Sequence, residues 1–377
     1  MKNDTLIIDG DYPMTYGALD LNRELTRPID EVRKAQPIDG HDESSILSLG
    51  GSDAGTMASL PEMRRAGIAA ALVKICRRIY RPGSPMPGFR SGEQAYAAAQ
   101  ADLAYYRILE SLGHARILQT GEDLRNHMLE WSSAGERSEL PVGMFLGLEG
   151  GDPILWPEQI HSWWNAGVRV VSLSHYGIST YCHGTSTGTS GGLFQPAKEL
   201  LGQMESLGMI LDVTHASDQS IIESLELFSG PVIASHHNCR ALVPGERQLP
   251  DSLVQEVIRR DGVIGVSMDT WMLYRPGVDW TRVPEKRRDL FPRSAITLDD
   301  LADHIDHVCQ LAGDSRHVGI GGDTDGQGGS EGAPAEIDTV ADYQKLAEVL
   351  IKRGYNSSDV ANIMYGNWQQ GFEKWLP

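Results

Sequence analysis

Eight short apolar runs punctuate the chain, at residues 5–9, 68–76, 142–148, 168–173, 209–213, 231–234, 262–268 and 317–321. Most are continuous rather than alternating, the pattern of strands buried on both faces. Between them lie stretches with helical spacing. The clearest, residues 92–112, puts Ala99, Leu103, Tyr106 and Leu109 on one face. Others are expected at 60–66, 120–130, 157–166, 196–207, 251–261 and 298–312, with two more, 340–353 and 357–375, closing the chain. Asn22 to Arg33 reads as a short helix interrupted by Pro28. No composition break or tandem repeat divides the sequence. Strands alternating with helices predict an α/β fold, a (β/α)8 TIM-type barrel over residues 1–377, rather than a doubly wound sheet. Loop insertions are expected near 11–60 and 270–294, the second carrying Trp271, Tyr274, Arg275 and Trp280.

The stretch 208–240 organises the rest. Two of the runs fall within it, flanking a helical pattern through Ile221, Leu225 and Phe228, and each ends in a hydroxyl residue and a histidine: Thr214-His215 and Ser235-His236. A strand–helix–strand unit builds a parallel pair, and α/β barrels carry their chemistry at strand carboxyl ends. Other runs end in Asp9 and Asp11, Glu149, His175, Asp269 and Asp323. His215, His236 and Glu149, from three strand ends around one mouth, form a donor set suited to a zinc-type ion. Each histidine taken singly could equally cap its strand. Asp323 is placed to move a proton during hydrolysis, with Asp325 as its rival in the same turn. His175 could donate to a substrate carbonyl or be a hydrogen-bonded inner residue. Arg247 suits a carboxylate, with Arg240 competing. His237 is expected to point away from the mouth, and His304 and His307 to suit an exposed helix face.

Composition narrows the partners. With 33 Lys+Arg against 51 Asp+Glu the net charge is −18, which disfavours nucleic acid and anionic membrane surfaces. The N-terminus lacks a signal-peptide pattern and no run is long enough to span a bilayer, so the expectation is a cytoplasmic protein with no membrane partner. The four cysteines form no CxxC, and Cys239 is expected to be a buried thiol without a catalytic role.

The motifs Leu148–Gly151 (LEGG), Ser172–His175 (SLSH), Leu211–Ser217 (LDVTHAS), Pro231–Leu242 (PVIASHHNCRAL), Arg247–Asp251 (RQLPD) and Val318–Gly326 (VGIGGDTDG) appear in an order and spacing that resembles the membrane (renal) dipeptidases of the amidohydrolase superfamily. The resemblance runs over most of the chain. It implies a metallo-dependent hydrolase barrel with two zinc ions at its mouth, acting on small dipeptides, some with a C-terminal D-residue, and in some members on β-lactams. It implies that Glu149 bridges the metals, that His215 and His236 hold the second, and that His175 contacts the substrate. Arg247 would bind the substrate carboxylate and Asp323 would shuttle the proton. Homodimers are common in the family.

One departure matters. The family's first strand carries Asp-Gly-His-x-Asp, whose His and last Asp hold the first metal. Here the stretch is Asp9-Gly10-Asp11-Tyr12-Pro13, so Asp11 replaces the His and Pro13 replaces the Asp. Asp11 is kept as a metal-ligand candidate. Asp39-Gly40-His41-Asp42-Glu43 imitates the motif, but no apolar run precedes it, and it reads as loop. The expectation is a metal-dependent dipeptidase-like hydrolase with one zinc per chain rather than two, other divalent metals fitting the same donors. The alternatives are a barrel that binds without turnover, and a hydrolase of another small amide, lactam or lactone.

Overall fold

The computed structural model describes residues 5–35, 55–82, 84, 86–188, 191–279, 290–326 and 329–377. Among these the strands are β1 (Ile7–Tyr12), β2 (Ile68–Ile75), β3 (Ala115–Ile117), β4 (Val142–Glu149), β5 (Val168–Ser172), β6 (Ile210–Asp212), β7 (Val232–Ile233), β8 (Ile264–Val266) and β9 (Val318–Ile320). They pair in the order β7-β6-β5-β4-β2-β1-β9-β8, all parallel, and a bridge between Ala234 and Ile264 joins the two ends. The fold is a (β/α)8 barrel. β3 lies off this path against β4, a three-residue strand too short for its periodicity to be read from sequence.

The helices start and stop where local chemistry allows. Ser59 and Ser91 cap Leu60–Ala66 and Gly92–Ser111 by accepting from the Glu62 and Gln94 amides. Thr120 with Asp123, and Thr297 with Asp300, form capping boxes. Gly208, at φ 73°, ends Gln195–Leu207 in the left-handed conformation that glycine takes without strain. Pro28 precedes Ile29–Lys34 as its cap residue and does not interrupt it.

Every residue of β2 and β4 is buried. Phe145 stacks on Phe372 with ring centroids 4.0 Å apart, fixing the C-terminal helix Asn367–Trp375 against the barrel. His304 is buried, not exposed: its Nδ1 accepts the Cys239 amide at 2.9 Å. In the 270–294 insertion Trp271 is fully buried and Tyr274 stacks on Phe291, so both aromatics pack internally. Trp280 and the Asp39–Glu43 stretch lie outside the described residues.

Candidate metal centre

Glu149 is the last residue of β4. β6 ends at Asp212, and the chain turns so that His215 adopts φ 68°, a conformation unusual for a residue with a Cβ. β7 ends at Ile233 and leads into Ser235 and His236. The Ser235 carbonyl wedges between neighbouring strands. A Cβ on Gly265 or Gly321 would lie 2.0 or 2.1 Å from it, so only glycine at both positions lets this strand end sit as it does.

These turns bring the predicted donors together. Glu149 Oε1 lies 3.2 Å from His215 Nε2 and 3.4 Å from His236 Nε2, and the two Nε2 atoms are 3.0 Å apart. All three residues are buried. Two imidazole nitrogens and a carboxylate oxygen converging on one point make a donor set that fits a divalent ion of the zinc type. Burial, then Arg247 and His236, hold the His215 imidazole well below its usual pKa, so it presents a lone pair. Burial pushes Glu149 up, but His175, Lys74 and His236 outweigh it and hold the carboxyl below the usual range.

On the other side of His236, Nδ1 lies 3.1 Å from Asp11 Oδ1 and 3.0 Å from Ser235 Oγ. A carboxylate on one ring nitrogen fixes the proton there and leaves the other free to ligate. Asp11 sits inside β1 and is fully buried. Lys74 on β2 is fully buried beside it. Its Nζ donates to Asp212 Oδ2 at 2.7 Å and Ser235 Oγ at 3.1 Å, and lies 3.3 Å from Asp11 Oδ1. Burial opposes the ammonium, yet Asp212, Asp11 and Glu149 together raise its pKa. Asp11, His236 and Asp323 also form a set whose donor atoms lie within 4.8 Å of one another.

A cleft of about 480 Å³ opens over the centre, lined among others by Pro13, Lys74, Glu149, His175, His215 and Asp323. That is room for a small ligand. Asp323 has φ 50°, and its amide donates to the Asp11 carbonyl at 3.1 Å. Burial, with Asp11, Asp269 and Glu149 nearby, pushes its carboxyl well above the usual range despite His236. Its rival Asp325 instead accepts from the Met57 and Ala58 amides and lies 3.6 Å from Arg23, a structural role. His175 faces the cleft against Arg78, and its ring lies tilted by 33° against that of His215 with centroids 4.2 Å apart. Arg247 is fully buried. Its Nη2 donates to the His236 carbonyl at 3.0 Å, while Nε and Nη1 find no hydrogen-bond partner among the described residues. Arg240 is committed to Asp218 at 2.6 and 2.8 Å.

The sequence reading missed Lys74, Cys76 and Arg78. The signal for Lys74 was present: one cation in the apolar run IAAALVKIC of an interior strand. Cys76 joins Glu149 and His175 in a further donor cluster within 4.8 Å. His237 is buried beside His236, and both its ring nitrogens lack hydrogen-bond partners among the described residues.

A parallel eight-stranded barrel with imidazoles and a carboxylate converging at its carboxyl mouth is the architecture of a metal-dependent hydrolase. The family model described as Membrane dipeptidase (Peptidase family M19) matches residues 55–374, and the chain belongs to that family of metal-dependent dipeptidase-like hydrolases. It is 31% identical to Dipeptidase aclJ of Aspergillus oryzae, over 60% of this chain and 50% of that protein. It is 27% identical to Dipeptidase 3 of Mus musculus, over 64% of this chain and 46% of that one. The chain spans about half the length of these curated relatives. In fold it is similar to a metallopeptidase from Rhodobacter sphaeroides bound to a phosphinate mimic of the dipeptide L-Ala-D-Ala, with TM-score 0.74, 18% identity and coverage of 98% and 99% of the two chains. No helix among the described residues is long and apolar enough to cross a membrane.

Proposed function

We propose that this chain hydrolyses the amide bond of small dipeptides, including those with a C-terminal D-residue, at a single zinc-type ion held by Glu149, His215 and His236. The observation that carries the reading is the convergence of those three donors beside a buried arginine whose Nε and Nη1 have no hydrogen-bond partner among the described residues. A divalent ion in that place supplies Lewis acidity and lowers the pKa of water.

The chain's own residues do the rest. Arg247 offers Nε and Nη1 to the substrate's terminal carboxylate, and the guanidinium plane suits two-point capture. That contact orients the scissile carbonyl toward His175, whose ring faces the cleft and can donate to the oxygen as charge develops on it. Asp323 accepts a proton from the attacking water and returns it to the leaving amine. Its upward-pushed carboxyl suits a group that must hold a proton between those two events. Asp11 keeps the proton of His236 on Nδ1.

The test is amino-acid release from L-Ala-D-Ala and L-Ala-L-Ala by the purified chain, dialysed against zinc or manganese and followed by mass spectrometry. Release that disappears on chelation and returns with metal is expected. No release from any dipeptide, together with no bound metal, overturns the reading. Pro13 favours one rival, a barrel that binds dipeptides without turnover. It would show saturable dipeptide binding by calorimetry and no release.

A further inference from the structure

The family's first-metal ligands do not fit here, and the structure shows what stands in their place. Pro13 has no donor atom, and Asp11 is engaged by a side chain. We propose that the ammonium of Lys74 is the resident cation of the first-metal position, so that the chain has exchanged one of the family's two metal ions for a covalently tethered charge.

Four observations support this. Lys74, on β2, is fully buried and lines the cleft. Its Nζ donates to Asp212 and Ser235 and pairs with the Asp11 carboxylate, so the fold itself supplies the ammonium with counter-charge. Asp11, which stands where the family has a ligating histidine, has no hydrogen-bond donor on either carboxylate oxygen among the described residues. Its charge is met by the ion pairs with Lys74 and His236. Finally, Asp11, His236 and Asp323 still lie close enough to hold an ion, so the position is latent rather than dismantled. Burying carboxylates without a counter-charge costs several kcal/mol each. A divalent ion meets that need in a two-metal centre, and a lysine meets it here with a charge that neither exchanges nor can be chelated. Lys74 is therefore a positioning residue: it holds Asp11, which in turn orients His236 toward the remaining metal.

The inference rests on the proposed metal at Glu149, His215 and His236, and one experiment separates the two. Full-length wild type, Lys74→Met and Lys74→Met/Asp11→Asn are dialysed to equilibrium against zinc, and bound metal is counted by mass spectrometry. Circular dichroism verifies folding. Wild type is expected to hold one equivalent, Lys74→Met to gain a second, and the double variant to lose it again. A wild-type count of zero removes the proposed catalytic metal. The increment from wild type to Lys74→Met tests the lysine. An unchanged count in a folded Lys74→Met protein overturns the lysine proposal, as does a gained equivalent that survives Asp11→Asn. If Lys74→Met does not fold, the wild-type count decides: two equivalents overturn the proposal, and one upholds a position closed to metal.

Discussion

The two sides of the barrel mouth solve the same electrostatic problem differently. On one side the end of β4 and the turns after β6 and β7 bring Glu149, His215 and His236 together, with the Arg247 guanidinium 3.5 Å from His215 Nε2. On the other, β1 and β2 present Asp11 and Lys74, already paired with each other and with Asp212. In the proposed metal centre the donors are two imidazoles and one carboxylate, and the cation would be exchangeable. A site meant to be closed is filled by a side chain that brings its own charge and hydrogen-bond donors. Burial alone does not separate the two, because both are shielded from solvent. The donor chemistry does, and His236 joins them, with Nε2 toward the open side and Nδ1 toward Asp11.

Variants can break this contrast in order of effect. Asp323→Asn should lower kcat by roughly a hundred- to ten-thousand-fold with little change in KM, since proton transfer is worth that much. Steady-state kinetics on a dipeptide measures it, and unchanged turnover removes Asp323 from the mechanism. On the closed side, Asp212→Asn leaves Lys74 with Asp11 as its one carboxylate partner. Breaking a buried ion pair costs about 3–5 kcal/mol, to be read as a lowered urea midpoint. A stability like that of wild type would mean that Lys74 does not depend on its pairing.

Asp11→Asn tests the link between the sides. It should weaken zinc binding at the open side by roughly 10- to 100-fold, the usual cost of losing the carboxylate behind a ligating histidine. Competition with a chromophoric chelator measures the loss. An effect confined to acid pH comes from His304, which supports the Cys239 amide. Burial, with Arg275 adding to it, lowers the His304 pKa to about 3 from an ordinary 6.5. Below pH 6.5 the unfolded chain binds this proton and the folded chain does not. Stability is therefore lost as pH falls from 6.5 toward 3, at about 1.4 kcal/mol per pH unit from this group. His304→Asn retains an acceptor for the amide and should flatten that part of the pH–stability curve relative to wild type. Parallel curves for the two proteins would show that His304 already carries its proton in the fold.

Much of the open side was legible in the linear chain. Continuous apolar runs alternating with capped helices specify a parallel barrel, because strands covered on both faces leave no alternation to misread. A barrel fixes where strand ends point, so Glu149, His215 and His236 could be brought together before any coordinates. The replacement of the family's strand-one His and last Asp by Asp11 and Pro13 was equally plain. Tertiary structure decided what pairing and burial decide. It showed Asp325 engaged by the Met57 amide and Arg240 by Asp218, partners that lie across the fold, which leaves Asp323 and Arg247 as the proposed site residues. It buried His304, whose helix position said nothing of the Cys239 amide it meets. It placed the Lys74 ammonium against Asp11, 63 positions away in sequence, and against Asp212, 138 away. A lysine in an apolar run is visible in the sequence as an anomaly. The carboxylates that neutralise it come from other strands, and only the closed barrel sets them side by side.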